Sequence, residues 1–311
     1  MKLQPTRGHT QNYLRQLLAE RGLAPRSSLG QCFLTDLNLL DIFVAAAELD
    51  RNDFVLEVGT GTGSLTERLS ADAGSVLSVE IDSGLSSLAF ENVGELPNVR
   101  LMRADILATK NAFNPDVLAA IDELAPVAGP LRRKLVANLP FVVATPVISL
   151  LLLDERPWDR FVITVQKELA DRLAARPSTA DFGSLSVLAQ SLADVELLRE
   201  LPPSAFWPKP RVGSAFVAIR PRPAKRALIE HVPTFAWFAR GVMLLRRKVL
   251  RQAMSSLFAA VPKTEIDEFL VSHSIDPRSR AESLAPQEFV RLANRLPAAW
   301  RPNSHGPTAL P

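Results

Sequence analysis

From residue 36 onward, short apolar runs alternate with stretches whose apolar residues recur at helical spacing. "DLNLLDIFVAAAEL" (36–49) predicts a helix, opened by Thr35 or Asp36 as cap. "DFVLEVG" predicts a strand, a Gly-rich turn follows, and a helix starts near Ser64. "SVLSVEID" and "VRLMRADIL" predict two further strands, each ending near an acid, with the helix "GLSSLAFENV" between them. "NPDVLAAIDELA" predicts a helix and "RKLVANLP" a fourth strand. "RFVITVQKELADRLAA", "GSLSVLAQSLADVELLREL" and "SAFVAIRPRP" then predict strand–helix, helix–strand and a last strand. Strands alternating with helices imply right-handed βαβ units, hence an α/β fold with a mainly parallel sheet covered on both faces. Pro221 and Pro223 end this pattern, and from about Ala224 the periodicity is wholly helical, including the long run 234–261. The expected organisation is a basic leader (1–30), a catalytic domain (31–223), a small helical domain (224–297) and a Pro-rich disordered tail (298–311).

Composition narrows the possibilities. The chain has 311 residues, 47% of them hydrophobic, enough for one large domain and a smaller one. No uninterrupted apolar window of about 18 residues occurs, which argues against a transmembrane helix. The first 14 residues lack the apolar centre of a secretory signal. One cysteine, Cys32, excludes an internal disulfide and fits a reducing cytoplasm. The four histidines, His9, His231, His273 and His305, have no metal-ligand spacing, so no metal is expected. Net charge is only +3 but unevenly spread. Arg7, Arg15, Arg21 and Arg26 precede the first core element, and "PKPRVGS", "IRPRPAKR" and "LLRRKVLRQ" (244–252) are basic clusters. Such clustering suits a phosphate-binding surface, although a solvated helix face would look the same.

Candidate chemistry gathers at the predicted strand ends. "EVGTGTG" sets Gly59, Gly61 and Gly63 between a strand and a helix, where absent side chains and free N–H groups suit a ligand with a negative group. Ser64 departs from a nicotinamide dinucleotide fingerprint. Glu80 ends the second strand, where a carboxylate can accept both ribose hydroxyls, and Asp105 ends the third, able to accept from an exocyclic amine. Asp82, beside Glu80, is expected to be a solvated strand end. In "VANLPFVVATPVISLLLLD", an amide and a proline interrupt an apolar run at the fourth strand end. The Asn138 oxygen and the Leu139 or Pro140 carbonyl can accept both hydrogens of an exocyclic amine, freeing its lone pair for attack. Pro140 fixes the backbone and Phe141 offers a stacking face. Phe206, in "SAFWPKP", is either a second stacking ring or a core anchor.

These segments resemble, in order and spacing, the KsgA/RsmA family of ribosomal RNA adenine N6,N6-dimethyltransferases. "LGQCFLTDLNLLDIFV", "LEVGTGTGSLTERL", "VEID", "RADIL", "VANLPFVVATPVI", "VQKELADRLAARPSTADFGSLSVLAQ", "LPPSAFWPKPRVGSAFVAIRP" and "RRKVLRQAMSSL" carry the likeness over roughly 25–296. The resemblance implies a Rossmann-like class I methyltransferase sheet with a small C-terminal all-helical domain, and S-adenosyl-L-methionine as methyl donor. It implies donor contacts at Cys32, Leu34, Gly59, Glu80, Asp105 and Asn138. It also implies dimethylation of adjacent adenosines in the 3′-terminal hairpin loop of 16S rRNA, on an immature 30S subunit. The target base would have to leave its stack. Arg246, Arg247, Lys248 and Arg251 would grip phosphates. Two positions depart from the family pattern: Cys32 replaces its usual Asn, and Phe141 its usual Tyr. A monomer suffices for such a reaction. An erythromycin-resistance-type enzyme acting on 23S rRNA, and a non-catalytic RNA-binding assembly factor of the same fold, remain alternatives. A dehydrogenase is disfavoured by Ser64, by "NLPF" and by the lack of an evident hydride-transfer residue.

Overall fold

The computed structural model describes residues 10–302; Arg7, His9, His305 and the tail from 303 lie outside them. Two compact units divide the chain, residues 1–170 with 196–220, and residues 171–195 with 221–311.

The first unit is built on a seven-stranded sheet: β1 (Asp53–Val58), β2 (Ser75–Glu80), β3 (Val99–Arg103), β4 (Arg132–Asn138), β5 (Trp158–Gln166), β6 (Ala193–Leu201) and β7 (Ser214–Pro221), in the order β3-β2-β1-β4-β5-β7-β6. The first five run parallel, and β7 is antiparallel to β5. Every residue of β1 is buried, as a strand covered on both faces requires. On one face Val55, Val76, Val136, Val162 and Phe216 pack with Leu39, Leu40 and Phe43 of helix 37–45. Within this apolar interior Asp53 is fully buried, its carboxylate bonded to Lys134 Nζ at 2.9 Å and Arg132 Nε at 2.9 Å. Asp82 is buried too, correcting its expected solvation: its Oδ1 caps helix 83–93 by accepting from Gly84 N (2.9 Å) and Leu85 N (3.0 Å).

The basic leader is more than a charged arm. Residues Gln11–Glu20 form helix α1, capped by Thr10. Leu14, Leu17 and Leu18, at i, i+3 and i+4, are buried, and the last two pack on Leu85 and Leu88. Burying each leucine stabilises by roughly 1.5–3 kcal/mol, more than the surrounding surface charges contribute. Of those charges, Arg21 pairs with Glu91, and Arg26 with Asp82 at 3.2 Å. A two-stranded ribbon, Phe33–Leu34 against Phe206–Trp207, joins the segment after α1 to the loop before β7.

In the second unit, helices Val232–Met243, Leu250–Leu257, Lys263–Ser272 and Pro286–Arg295 surround an aromatic core that includes Phe235, Phe238, Phe258 and Phe289. The continuous helix predicted over 234–261 is broken at 244–249. There Val249 is extended and bridges to Arg280, while Leu250 N and Arg251 N donate to Ser279 O (2.7 Å) and Pro277 O (3.1 Å). Pairing with this distant segment supplies the N–H groups with partners outside the helical ladder, so tertiary contact overrides local periodicity. The start of the predicted tail is likewise ordered: Trp300 is buried against Phe258 and Phe269, with ring centroids 5.0 and 5.2 Å away.

Candidate active site

Parallel pairing brings the carboxyl ends of β1, β2 and β4 together, and a cavity of about 230 Å³ opens there. Gly59 and Gly61 line it. Both have positive φ, 88° and 58°, and a Cβ on Gly59 would stand 3.0 Å from the Pro140 ring. Gly63 does not line the cavity; it begins helix 64–72, packed so tightly on Val93 that a Cβ would come within 3.0 Å of that side chain.

Two acids define the electrostatics. Glu80 is buried, its Oε2 accepting from Gly61 N and its Oε1 from Asp82 N, each at 2.9 Å. One lone pair on each oxygen remains for a ligand. Burial raises the Glu80 pKa, and the backbone amides of Asp82, Gly61 and Ile81 oppose the shift. Sequence reasoning passed over Glu57, which lines the cavity from the penultimate position of β1. It is fully buried, with Oε2 accepting from Thr66 Oγ1 and Ser78 Oγ at 2.6 Å each. Its Oε1 has no partner among the described residues. Desolvation pushes its pKa up to about 8, against the pull of those hydroxyls. An acid between "VL" and a Gly-rich turn was the available signal.

Asn138 closes β4 and lines the cavity, as does Pro140. Its Nδ2 donates to the Cys32 carbonyl oxygen at 2.7 Å, which turns Oδ1 the other way. The Pro140 carbonyl accepts from Val143 N at 3.0 Å, whereas the Leu139 carbonyl has no donor among the described residues. Neither Leu139 nor Phe141 belongs to the lining: the Leu139 side chain is core, 1% exposed, and Phe141 is half-buried. Cys32, Leu34 and Asp105 do line it. Asp105 is exposed, with Oδ1 accepting from Leu107 N at 2.9 Å. Cys32 is half-buried, its thiol donating to the Pro208 carbonyl at 3.1 Å.

Among the described residues no cluster of His, Cys, Asp or Glu could hold a metal, and no helix is long and apolar enough to cross a membrane. The profile of the ribosomal RNA adenine dimethylase family matches residues 22–297. The chain belongs to that family. Among its curated relatives, the ribosomal RNA small subunit methyltransferase A of Pediococcus pentosaceus is 36% identical over 284 residues, covering 91% of this chain and 93% of the relative. That of Lactiplantibacillus plantarum is 38% identical over 288 residues, covering 91% and 93%. Among solved structures, a dimethyladenosine transferase from Plasmodium falciparum shares the fold with TM-score 0.68 at 22% identity, covering 84% of this chain and 95% of the other. The 23S rRNA methyltransferase ErmE shares it with TM-score 0.60 at 23% identity, covering 85% and 99%. The α/β class I methyltransferase fold expected from the dimethylase resemblance is thus the one found.

Three expected substrate contacts, Phe206, Arg246 and Arg251, need correction. Phe206 is a core side chain, 2% exposed and packed with Leu34, Leu201 and Phe216, so no ring face is offered to a base. In the second unit, the Arg246 guanidinium donates to the Phe182 and Ala180 carbonyls, and Arg251 forms a two-pronged pair with Asp267. Both are spent on internal contacts that the linear charge pattern could not reveal. Arg247 and Lys248 stay exposed on the turn between the helices.

Proposed function

We propose that this dimethylase transfers methyl groups from S-adenosyl-L-methionine to N6 of adjacent adenosines in the 3′-terminal hairpin loop of small-subunit (16S) rRNA, during maturation of the small subunit. The observation that carries the chemistry is the Asn138 carboxamide beside the glycine-loop cavity, with its nitrogen end committed to the Cys32 carbonyl. The small-subunit assignment draws on the named relatives.

The cavity fits the donor. Glu80 keeps an acceptor site on each oxygen for ribose hydroxyls, Glu57 has an unmet oxygen, and the glycine loop leaves room that a Cβ would fill. When bound, the donor's sulfonium supplies an electrophilic methyl, so alignment of the acceptor is the protein's main task. Asn138 Oδ1 accepts one hydrogen of the adenine amine and the Leu139 carbonyl accepts the other. Two acceptors draw the nitrogen toward tetrahedral geometry and release the lone pair that the ring otherwise delocalises. Water takes the surplus proton after transfer, so no strong base is required. Pro140, held against Gly59, keeps the Leu139 carbonyl in place.

Asn138→Ala tests this reading. Methyl transfer to small subunits lacking the modification should fall roughly 100- to 1000-fold, as for removal of one aligned transition-state hydrogen bond. Affinity for S-adenosylhomocysteine should fall only modestly, and sequencing of the methylated product should place the label on neighbouring adenosines. An unimpaired rate would remove the role given to the amide, and preferential labelling of 23S rRNA when the parent enzyme is offered it beside small subunits would favour the erythromycin-resistance reading.

A further inference from the structure

The Asn138 carboxamide is oriented by a residue outside its own loop. Cys32 precedes the ribbon strand Phe33–Leu34, and its carbonyl takes the Asn138 Nδ2 hydrogen at 2.7 Å. Were the amide flipped, two acceptor oxygens would face each other at that distance, so the Cys32 carbonyl decides which end of the amide faces it. The Cys32 peptide is held in turn by the thiol, which donates to the Pro208 carbonyl at 3.1 Å, across the ribbon from residue 32. Burial pushes the thiol pKa up to about 12, so the S–H persists as a donor throughout the neutral range. Its single proton is committed to Pro208, leaving the side chain no donor for a methyl-donor ligand.

We infer that Cys32 is a positioning residue for methyl transfer: its thiol anchors on Pro208 the peptide whose carbonyl turns the Asn138 oxygen toward the substrate amine. This rests on the reading that Asn138 accepts from that amine. The side chain acts through Asn138 and touches no reacting atom.

Two variants separate this from a structural or donor-binding role. Cys32→Val keeps the volume and removes the donor; Cys32→Ser keeps a donor. Three quantities are followed: kcat on small subunits lacking the modification at saturating S-adenosylmethionine, calorimetric affinity for S-adenosylhomocysteine, and the Asn138 side-chain NH2 resonances in nitrogen-15-labelled protein, assigned by their loss in Asn138→Ala. Cys32→Val should lower kcat about two- to tenfold, the worth of one ordinary hydrogen bond, with KM for small subunits unchanged. It should shift the Asn138 NH2 pair and leave S-adenosylhomocysteine affinity within about twofold. Cys32→Ser should restore both the rate and the resonances toward the parent values. A wild-type kcat with an unmoved NH2 pair in Cys32→Val overturns the inference. So does a loss of S-adenosylhomocysteine affinity with the NH2 pair unmoved, which would assign Cys32 to donor binding. A full rate in Asn138→Ala would instead remove the underlying reading, while the NH2 shift would still report the link between the two residues.

Discussion

Glu57 carries the largest electrostatic tension at the site. A carboxyl group with no exposed surface and one unmet oxygen holds its proton up to about pH 8. In the unfolded chain the same group ionises near pH 4.3. Between those values the folded state binds more protons than the unfolded state, so this residue's contribution to stability declines as pH rises and levels off above the folded pKa. Glu57→Gln removes that proton linkage. The melting-temperature advantage of the variant over the parent should therefore widen from about pH 5 to pH 8. Melting curves across that range check the sign, and a constant gap would mean that Glu57 ionises normally in the fold. At this scale the sequence was least informative. The surroundings of Cys32 and Glu57 are set by the Pro208 carbonyl, 176 positions away, and by the Thr66 and Ser78 hydroxyls, 9 and 21 positions away. Phe206 was readable only as an aromatic ring beside prolines, a pattern shared by stacking platforms and core anchors.

The strand–loop elements set the amide's surroundings. Gly30 adopts φ 67°, ψ 23°, and a Cβ there would lie 3.0 Å from Phe141 N and 3.4 Å from Val142 N. Those neighbours are backbone, so they cannot swing aside as a side-chain tip would. Gly30→Ala should cost about 1–3 kcal/mol of stability through left-handed strain and steric crowding. It should also lower kcat by displacing residues 138–142, with urea denaturation and turnover measured on the same preparation. The order and type of the sheet elements were legible because apolar strands, Gly-rich turn and helical spacing all agreed. Three elements were not. Helix α1 was masked by Arg15 between its leucines and by the arginines that flank it, the two-residue ribbon strands are too short to have a period, and the break at 244–249 goes with the bonding of residues 249–251 to residues 277–280. Local pattern cannot register a partner so far along the chain.

For the whole molecule, net charge of +3 says little, since many cations are already paired. In the basic cluster, Arg247 and Lys248 are the exposed cations, and on the proposed reading they would be the ones to meet phosphate. Reversing both to Glu should weaken small-subunit binding and reduce its salt dependence by roughly 0.7–0.9 in log–log slope for each phosphate no longer neutralised. Filter binding over a salt series reads this directly, with S-adenosylhomocysteine affinity as the control that should not move. The same reversal at Arg246 would be a poor probe. Its guanidinium braces the Ala180 and Phe182 carbonyls, so weaker binding there would be mixed with local unfolding.

Strands β1 and β4 lie in parallel register with Leu56 opposite Leu135. Counting three positions on along each strand, from 56 to 59 and from 135 to 138, arrives at Gly59 and Asn138 together. The sheet thus works as a ruler, delivering the glycine loop and the Asn138 carboxamide to the same mark. Loops at the far end can lengthen without disturbing that coincidence. Loss of one residue within 132–137 would swing the carboxamide to the opposite face of the sheet, and loss of two would keep the face but draw it back about 6.6 Å. Over this stretch of chain, where Arg132 and Lys134 already answer the buried Asp53, evolution is held to the count as firmly as to the side chains.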